Sequence, residues 1–149
     1  MRVLVQRVND CVLKVDEKLI SQIDKGILVY IGIKVGDTED ELKYLVNKVA
    51  NLRIFEDKDG KMNLSVKDIG GKVMAVSQFT LYGDASRGFR PSFSEAERPE
   101  HAIPLYEKFI ESLENEGLEV SRGIFGADMK ISYTNDGPVS IIIEKDKTK

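Results

Sequence analysis

Apolar and polar positions alternate from the first residues of the chain. Val3 and Val5 stand against Arg2 and Gln6, and residues 2–8 predict a strand. Val12 to Val15 and Leu19 to Ile23 flank Asp16-Glu17-Lys18 and predict a hairpin. Gly26 to Ile33 is a continuous apolar run, as expected of a strand buried on both faces. The period then lengthens. Behind the cap signal Asp37-Thr38, Leu42, Leu45, Val46, Val49 and Leu52 recur at helical spacing. Asp57-Lys58-Asp59-Gly60 opens like a calcium loop, but the residues after Gly60 lose the ligand spacing, so a plain turn is expected. Lys72 to Leu81 predicts a strand, and residues 84–98 an irregular stretch. Pro99 to Glu116 predicts a second helix, with Leu105, Phe109, Ile110 and Leu113 on its apolar face and Gly117 as its stop. Strands at Leu118 to Arg122, Met129 to Tyr133 and Val139 to Glu144 follow, the last two parted by a turn at Thr134 to Pro138. The charged tail, Lys145 to Lys149, is expected to fray.

Strands joined by short turns point to antiparallel pairing. The expected class is α+β: a mainly antiparallel, barrel-like β-sheet with two helices packed on one face. The length of 149 residues fits a single domain, 1–149. A hydrophobic share of 42% is enough for a real core. No stretch approaches the ~20 apolar residues of a membrane helix. The opening Met1 to Arg7 is too soon charged for a signal peptide, so a cytoplasmic protein is expected, without a membrane partner. Cys11 is the only cysteine and His101 the only histidine. No metal site is therefore expected, and a histidine-based triad has few routes. Cys11 reads as packing and His101 as a solvent-facing residue. The net charge of -3 argues against indiscriminate nucleic-acid binding but leaves room for a local basic groove.

Three segments carry more chemistry than scaffold needs. Ser77-Gln78-Phe79-Thr80-Leu81 offers two hydroxyls, an amide and an aromatic ring, although a strand end with a polar face looks the same. Asn135-Asp136-Gly137-Pro138 is either an ordinary turn or a rigid backbone edge that another group can approach closely. The Arg87 to Phe93 loop is either a solvated face or a phosphate holder.

Together these segments resemble the D-aminoacyl-tRNA deacylase family, also called D-tyrosyl-tRNA deacylases. Ser77 to Leu81 and Asn135-Asp136-Gly137-Pro138-Val139 look like its two signatures. Met1 to Val8, Asn51 to Phe55, Lys61 to Ser65, Arg90 to Phe93 and Phe125-Gly126-Ala127-Asp128-Met129 fit its pattern, so the similarity runs nearly end to end. Ser140 departs from the family's usual threonine but keeps the hydroxyl, and Phe89 is a second local variation. The resemblance implies a homodimer whose active site is shared, with residues 77–81 of one subunit facing Gly137-Pro138 of the other. It implies a cis Gly137-Pro138 bond, the aminoacylated 3′ end of tRNA as partner, entry of mischarged glycine, and no cofactor. Ser77, Gln78, Phe79 and Thr80 become the expected catalytic segment. Gly137, Pro138, Phe125, Ala127 and Met129 become the expected substrate contacts.

Ester hydrolysis needs an activated water or nucleophile and donors for the oxyanion. Thr80 has the hydroxyl for a nucleophile, but no base for it is visible. The favoured alternative is help from the neighbouring ribose 2′-hydroxyl. Thr80 and Gln78 then orient the aminoacyl group, and main-chain N–H groups near Phe79 and Thr80 meet the oxyanion. A main-chain wall at Gly137-Pro138 would reject L side chains and pass glycine. Phe125 is either a stacking surface for the terminal adenine or a core residue. Two rivals remain: an esterase or peptidase acting on small molecules through Thr80, and a non-enzymatic RNA-binding module.

Overall fold

Two long strands carry the fold where the pattern suggested four short ones. In the computed structural model, which describes residues 1–147, β1 runs Arg2–Val15 and β2 runs Lys18–Gly32. Asp16 (φ 50°) and Glu17 (φ 66°) form the two-residue turn between them, both in the left-handed region that such tight hairpins demand. The remaining elements are α1 (Glu39–Asn51), β3 (Phe55–Glu56), β4 (Met62–Leu64), β5 (Lys72–Ser77), α2 (Pro99–Asn115), β6 (Val120–Arg122) and β7 (Met129–Glu144). The small β3–β4 pair had no counterpart in the sequence reading.

The main sheet has the order β6-β5-β2-β1-β7. It is not closed into a barrel, which corrects the barrel-like expectation. It is mixed, with antiparallel pairing over more positions than parallel. β1 pairs antiparallel with β2 and β7, but β5 lies parallel to β2 and β6 parallel to β5. The cause is connection length. α1 lies between β2 and β5, and α2 between β5 and β6. A strand returning through a helix comes back in the same direction.

Both helices pack on one face, as expected. Leu42, Leu45, Val46 and Val49 of α1 and Tyr106, Phe109, Ile110 and Leu113 of α2 share a core with Val3, Val5, Ile27, Val29, Ile31, Val73 and Ala75. α1 starts at a capping box: Thr38 Oγ1 accepts from Asp40 N, and Thr38 N–H donates to Glu41 Oε2 at 2.7 Å. On the opposite face the long hairpin packs a second cluster of Val8, Cys11, Leu13, Ile23, Leu28, Met74 and Val76, flanked by Met129, Ile131 and Tyr133. Residues 27, 29 and 31 thus face one core and residue 28 the other, the two-sided burial that the apolar run predicts. Cys11 is wholly buried, and burial pushes its thiol up to about 11.

β7 was expected as two strands with a turn, and it is one strand with an excursion. Gln6 pairs with Ser140 and Val8 with Asn135, so Arg7 alone faces residues 136–139. The tail is also held where fraying was expected. Met1 and Lys145 exchange two hydrogen bonds of 2.9 Å, and Lys34 Nζ meets Asp146 at 2.6 Å. The last two residues, 148–149, lie outside the described part.

Candidate active site

At its C-terminal end β5 changes period. Gln78 N–H donates to Ile31 O at 2.8 Å, the last rung against β2, and Phe79–Tyr82 then close a 3-10 turn. The strand predicted to reach Leu81 therefore stops at Ser77. Leu81 N–H bonds back to Gln78 O at 3.3 Å. The N–H groups of Phe79 and Thr80, first in the turn, meet no acceptor among the described residues. Gln78 Nε2 donates to Thr80 Oγ1 in a very short contact. Thr80 is exposed.

Beside this turn lies a cavity of about 280 Å³, walled by Val76, Ser77, Gln78 and Phe79 on one side and Phe125, Gly126, Ala127, Asp128, Met129 and Ile131 on the other. Six of the expected site residues (Ser77, Gln78, Phe79, Phe125, Ala127 and Met129) meet there, although they come from segments almost 50 positions apart. Thr80 sits at the rim and does not line it. Phe125 is half-buried, with one side against Tyr106 at a centroid distance of 6.1 Å, and it also lines the cavity. The ring is thus partly packed and partly open to the cavity. Tyr106 is fixed by its hydroxyl, which donates to Ala75 O at 2.9 Å. Asp128 is the one charged lining residue, and Lys130 pairs with it at 3.0 Å. His101 is exposed on α2.

Gly137 and Pro138 lie elsewhere in the chain, and the bond between them is cis. Gly137 stands opposite Arg7 on β1. The start of β7 reaches the cavity through Met129 and Ile131, but none of residues 135–139 lines it, so one chain does not close the cavity with its own Gly137-Pro138.

The excursion is firmly braced. Arg7 is buried, only 7% exposed, and its guanidinium donates to Asp136 O at 3.1 Å and Ile54 O at 2.8 Å. The Asp136 carboxylate adds an ion pair at 3.4 Å. Asn135 Oδ1 accepts from Val139 N–H at 3.2 Å, while Asn135 Nδ2 and Gln6 Nε2 both donate to Ser140 Oγ. Tyr133 Oη donates to Gln6 Oε1 at 2.6 Å. Asn135 thus braces the turn by a side-chain to backbone hydrogen bond, and Asp136 through Arg7. The sequence reading missed Arg7 and Gln6, because a polar residue in an alternating strand looks solvent-facing. The lone hint was an arginine flanked by the buried Val5 and Val8.

Among the described residues no group of His, Cys, Asp or Glu is arranged to hold a metal, and no helix is long and apolar enough to cross a membrane.

Comparison with known proteins gives a consistent result. The chain is 52% identical over 147 residues to the D-aminoacyl-tRNA deacylase of Thermotoga petrophila, covering 99% of both chains. It is 51% identical over 144 residues to that of Thermus aquaticus, covering 97% of this chain and 95% of the relative. A solved structure named c-Myc DNA Unwinding Element Binding Protein superposes with a TM-score of 0.92 at 40% identity, covering 98% of this chain and 99% of that one. A probable eukaryotic D-amino acid tRNA deacylase shares the fold, with a TM-score of 0.84 at 17% identity, covering 97% and 98%. Residues 4–144 match the family described as D-Tyr-tRNA(Tyr) deacylase, and the chain belongs to that family.

Proposed function

We propose that the protein hydrolyses the ester of D-aminoacyl-tRNA, releasing the free D-amino acid and tRNA. The observation that carries this reading is the full-length similarity to D-aminoacyl-tRNA deacylases. Water adds to the ester carbonyl carbon, the bond to the ribose oxygen breaks, and that oxygen takes up a proton. The cavity beside Ser77–Phe79 receives the aminoacyl end. The free N–H groups of Phe79 and Thr80 face the developing oxyanion, and Gln78 and Thr80, tied to each other, orient the ester. No imidazole, amine or carboxylate touches Thr80 among the described residues, which favours help from the terminal ribose 2′-hydroxyl over a threonine nucleophile. Phe125 offers its cavity side to the terminal adenine, with Ala127 and Met129 completing that wall. The proposed setting is the cytoplasm, where charged tRNA is used.

The second signature enters from a second copy. The separation of Gly137-Pro138 from the cavity supports a homodimer in which each copy's excursion closes its partner's site. The outer strand supports it too: Ile142 is 69% exposed and forms an apolar recess with Val3, Leu4 and Leu81. In this arrangement the main chain at Gly137-Pro138 rejects L side chains and admits glycine. Sedimentation is expected to give a dimer at working concentrations, with activity falling as dilution separates the copies. Full activity in a monomer would refute the shared site.

The central test compares matched D- and L-tyrosyl-tRNA. Fast release of D-tyrosine and sparing of the L form are expected, and glycyl-tRNA is also hydrolysed. Equal rates on both enantiomers would overturn the chiral reading. Activity is expected to survive exhaustive chelation. A loss restored by added metal would contradict the metal-free mechanism.

A further inference from the structure

The loop that leaves the candidate site is chemically unlike the rest of the surface. Asp84 and Ser92 pair through two backbone hydrogen bonds of 2.8 Å, and Ser86 N–H donates to Asp84 Oδ1 at 2.9 Å, so the root is defined. Between them every residue is exposed. The tip reads Ala-Ser-Arg-Gly-Phe-Arg-Pro, with two arginines and no carboxylate, in a chain whose net charge is -3. Neither Arg87 nor Arg90 forms an ion pair with a described residue. Phe89 stands wholly in water, at 106% relative exposure. A scaffold loop has no use for a bare aromatic ring between two unpaired cations.

The root is packed against the cavity wall. Phe93, one residue past Ser92, meets Phe79 edge to face at 5.2 Å. Gly83, just before Asp84, sits so close to the Phe93 ring that an added Cβ would lie 3.0 Å from it. The tip is therefore rooted beside the cavity, on the Phe79 side of its wall. It extends on the order of 10 Å beyond its root, the rise of about three stacked nucleotides.

We propose that this tip is the docking element for the acceptor end of tRNA. Arg87 and Arg90 pair with backbone phosphates, and Phe89 stacks on an exposed base next to the aminoacylated nucleotide. Guanidinium groups match phosphate oxygens two at a time, and single-stranded bases stack on aromatic rings whatever their sequence. Such a contact suits an enzyme that must accept many tRNAs. The proposal rests on the deacylase reading and adds to it the surface that grips the RNA.

The test compares wild type with the double variant Arg87→Gln/Arg90→Gln and with Phe89→Ala, on two substrates. With D-tyrosyl-tRNA, KM is expected to rise about tenfold with kcat little changed. The slope of log KM against log salt is expected to flatten by about 1.4 in the double variant, two phosphates at about 0.7 each. With the minimal substrate 3′-O-D-tyrosyl adenosine, which is too short to reach the tip, kcat/KM is expected to stay at the wild-type value. Binding of uncharged tRNA, followed by anisotropy, is expected to weaken by the same factor. An unchanged KM and tRNA affinity would overturn the proposal. So would an equal loss on the minimal substrate, which would mean that the tip shapes the cavity. A shift of the variants toward monomer in sedimentation would reassign Phe89 to self-association. A wild type that binds tRNA through the tip but hydrolyses no D-tyrosyl-tRNA would instead refute the deacylase reading.

Discussion

Gly137→Ala is expected to lower kcat/KM on D-aminoacyl-tRNA by about 10²-fold and to destabilise the fold by about 2 kcal/mol. Gly137 has φ 124°, a region L residues rarely adopt. A Cβ there would lie 2.8 Å from Val139 Cγ2, 3.0 Å from Arg7 Nη2 and 3.2 Å from Val139 N. None of these neighbours can easily retreat. Arg7 is held by Ile54 O and Asp136 O, and Val139 N–H by Asn135. The excursion must therefore shift as a unit, and its main chain leaves the place proposed for its contact with the substrate. Gly117→Ala is the control. Gly117 also has positive φ, 89°, but nothing lies within 4 Å of its added Cβ. It should cost about 1 kcal/mol of stability with kcat/KM unchanged. Urea unfolding beside steady-state kinetics separates the two effects. A Gly137→Ala enzyme with wild-type kcat/KM would remove this main chain from the substrate's surroundings.

Thr80→Ala is expected to lower turnover partially, on the order of 10²-fold, with no covalent intermediate on the wild-type enzyme. A nucleophilic threonine needs a base within hydrogen-bond reach. The partner Thr80 has is the Gln78 amide, and an amide is too weak a base to take its proton. A hydroxyl held in this way suits the positioning role proposed for Thr80. Gln78→Ala should cost a similar factor, and the double variant little more than either, since the two side chains act as one unit. A charged tRNA ending in 2′-deoxyadenosine should be a poor substrate even for wild type. Single-turnover kinetics with mass spectrometry of quenched enzyme checks all of this. An acyl group trapped on Thr80, or a fall to the uncatalysed rate, would establish the nucleophile instead.

The helices and the buried strand were legible because each rests on a local period. Leu42 to Val49 declares its face, and Gly26 to Ile33 announces burial on both sides. Strand direction was harder. It depends on whether a connection turns back at once or crosses through a helix, and both helices sit between strands that end up parallel. That order is written in the chain, but the short turns dominate its local pattern. The excursion at residues 136–139 was invisible as such, because Asn-Asp-Gly-Pro has the composition of any turn. That it interrupts one continuous strand depends on β1 supplying only Arg7 opposite four residues. The site was half legible. Ser77 to Phe79 and Phe125 to Met129 share a cavity and Gly137 lies outside its lining, a grouping that no local period in the chain announces. The tail misled for a related reason. Charge suggests fraying, but residues 145 and 146 are held by backbone and ion-pair contacts to distant elements.

The excursion has a further consequence, for how the sheet edge meets other chains. β7 is the outermost strand and, at 16 residues, a long one. A flat edge of that length invites unrelated chains to add strands and seed aggregates. Residues 136–139 leave the ladder near its middle, so an incoming strand finds two short tracks separated by a step, with a proline that has no N–H to offer. The segment assigned to substrate selection would then also serve as a gatekeeper against cross-β growth. Variants that straighten it should aggregate during refolding as well as lose selectivity.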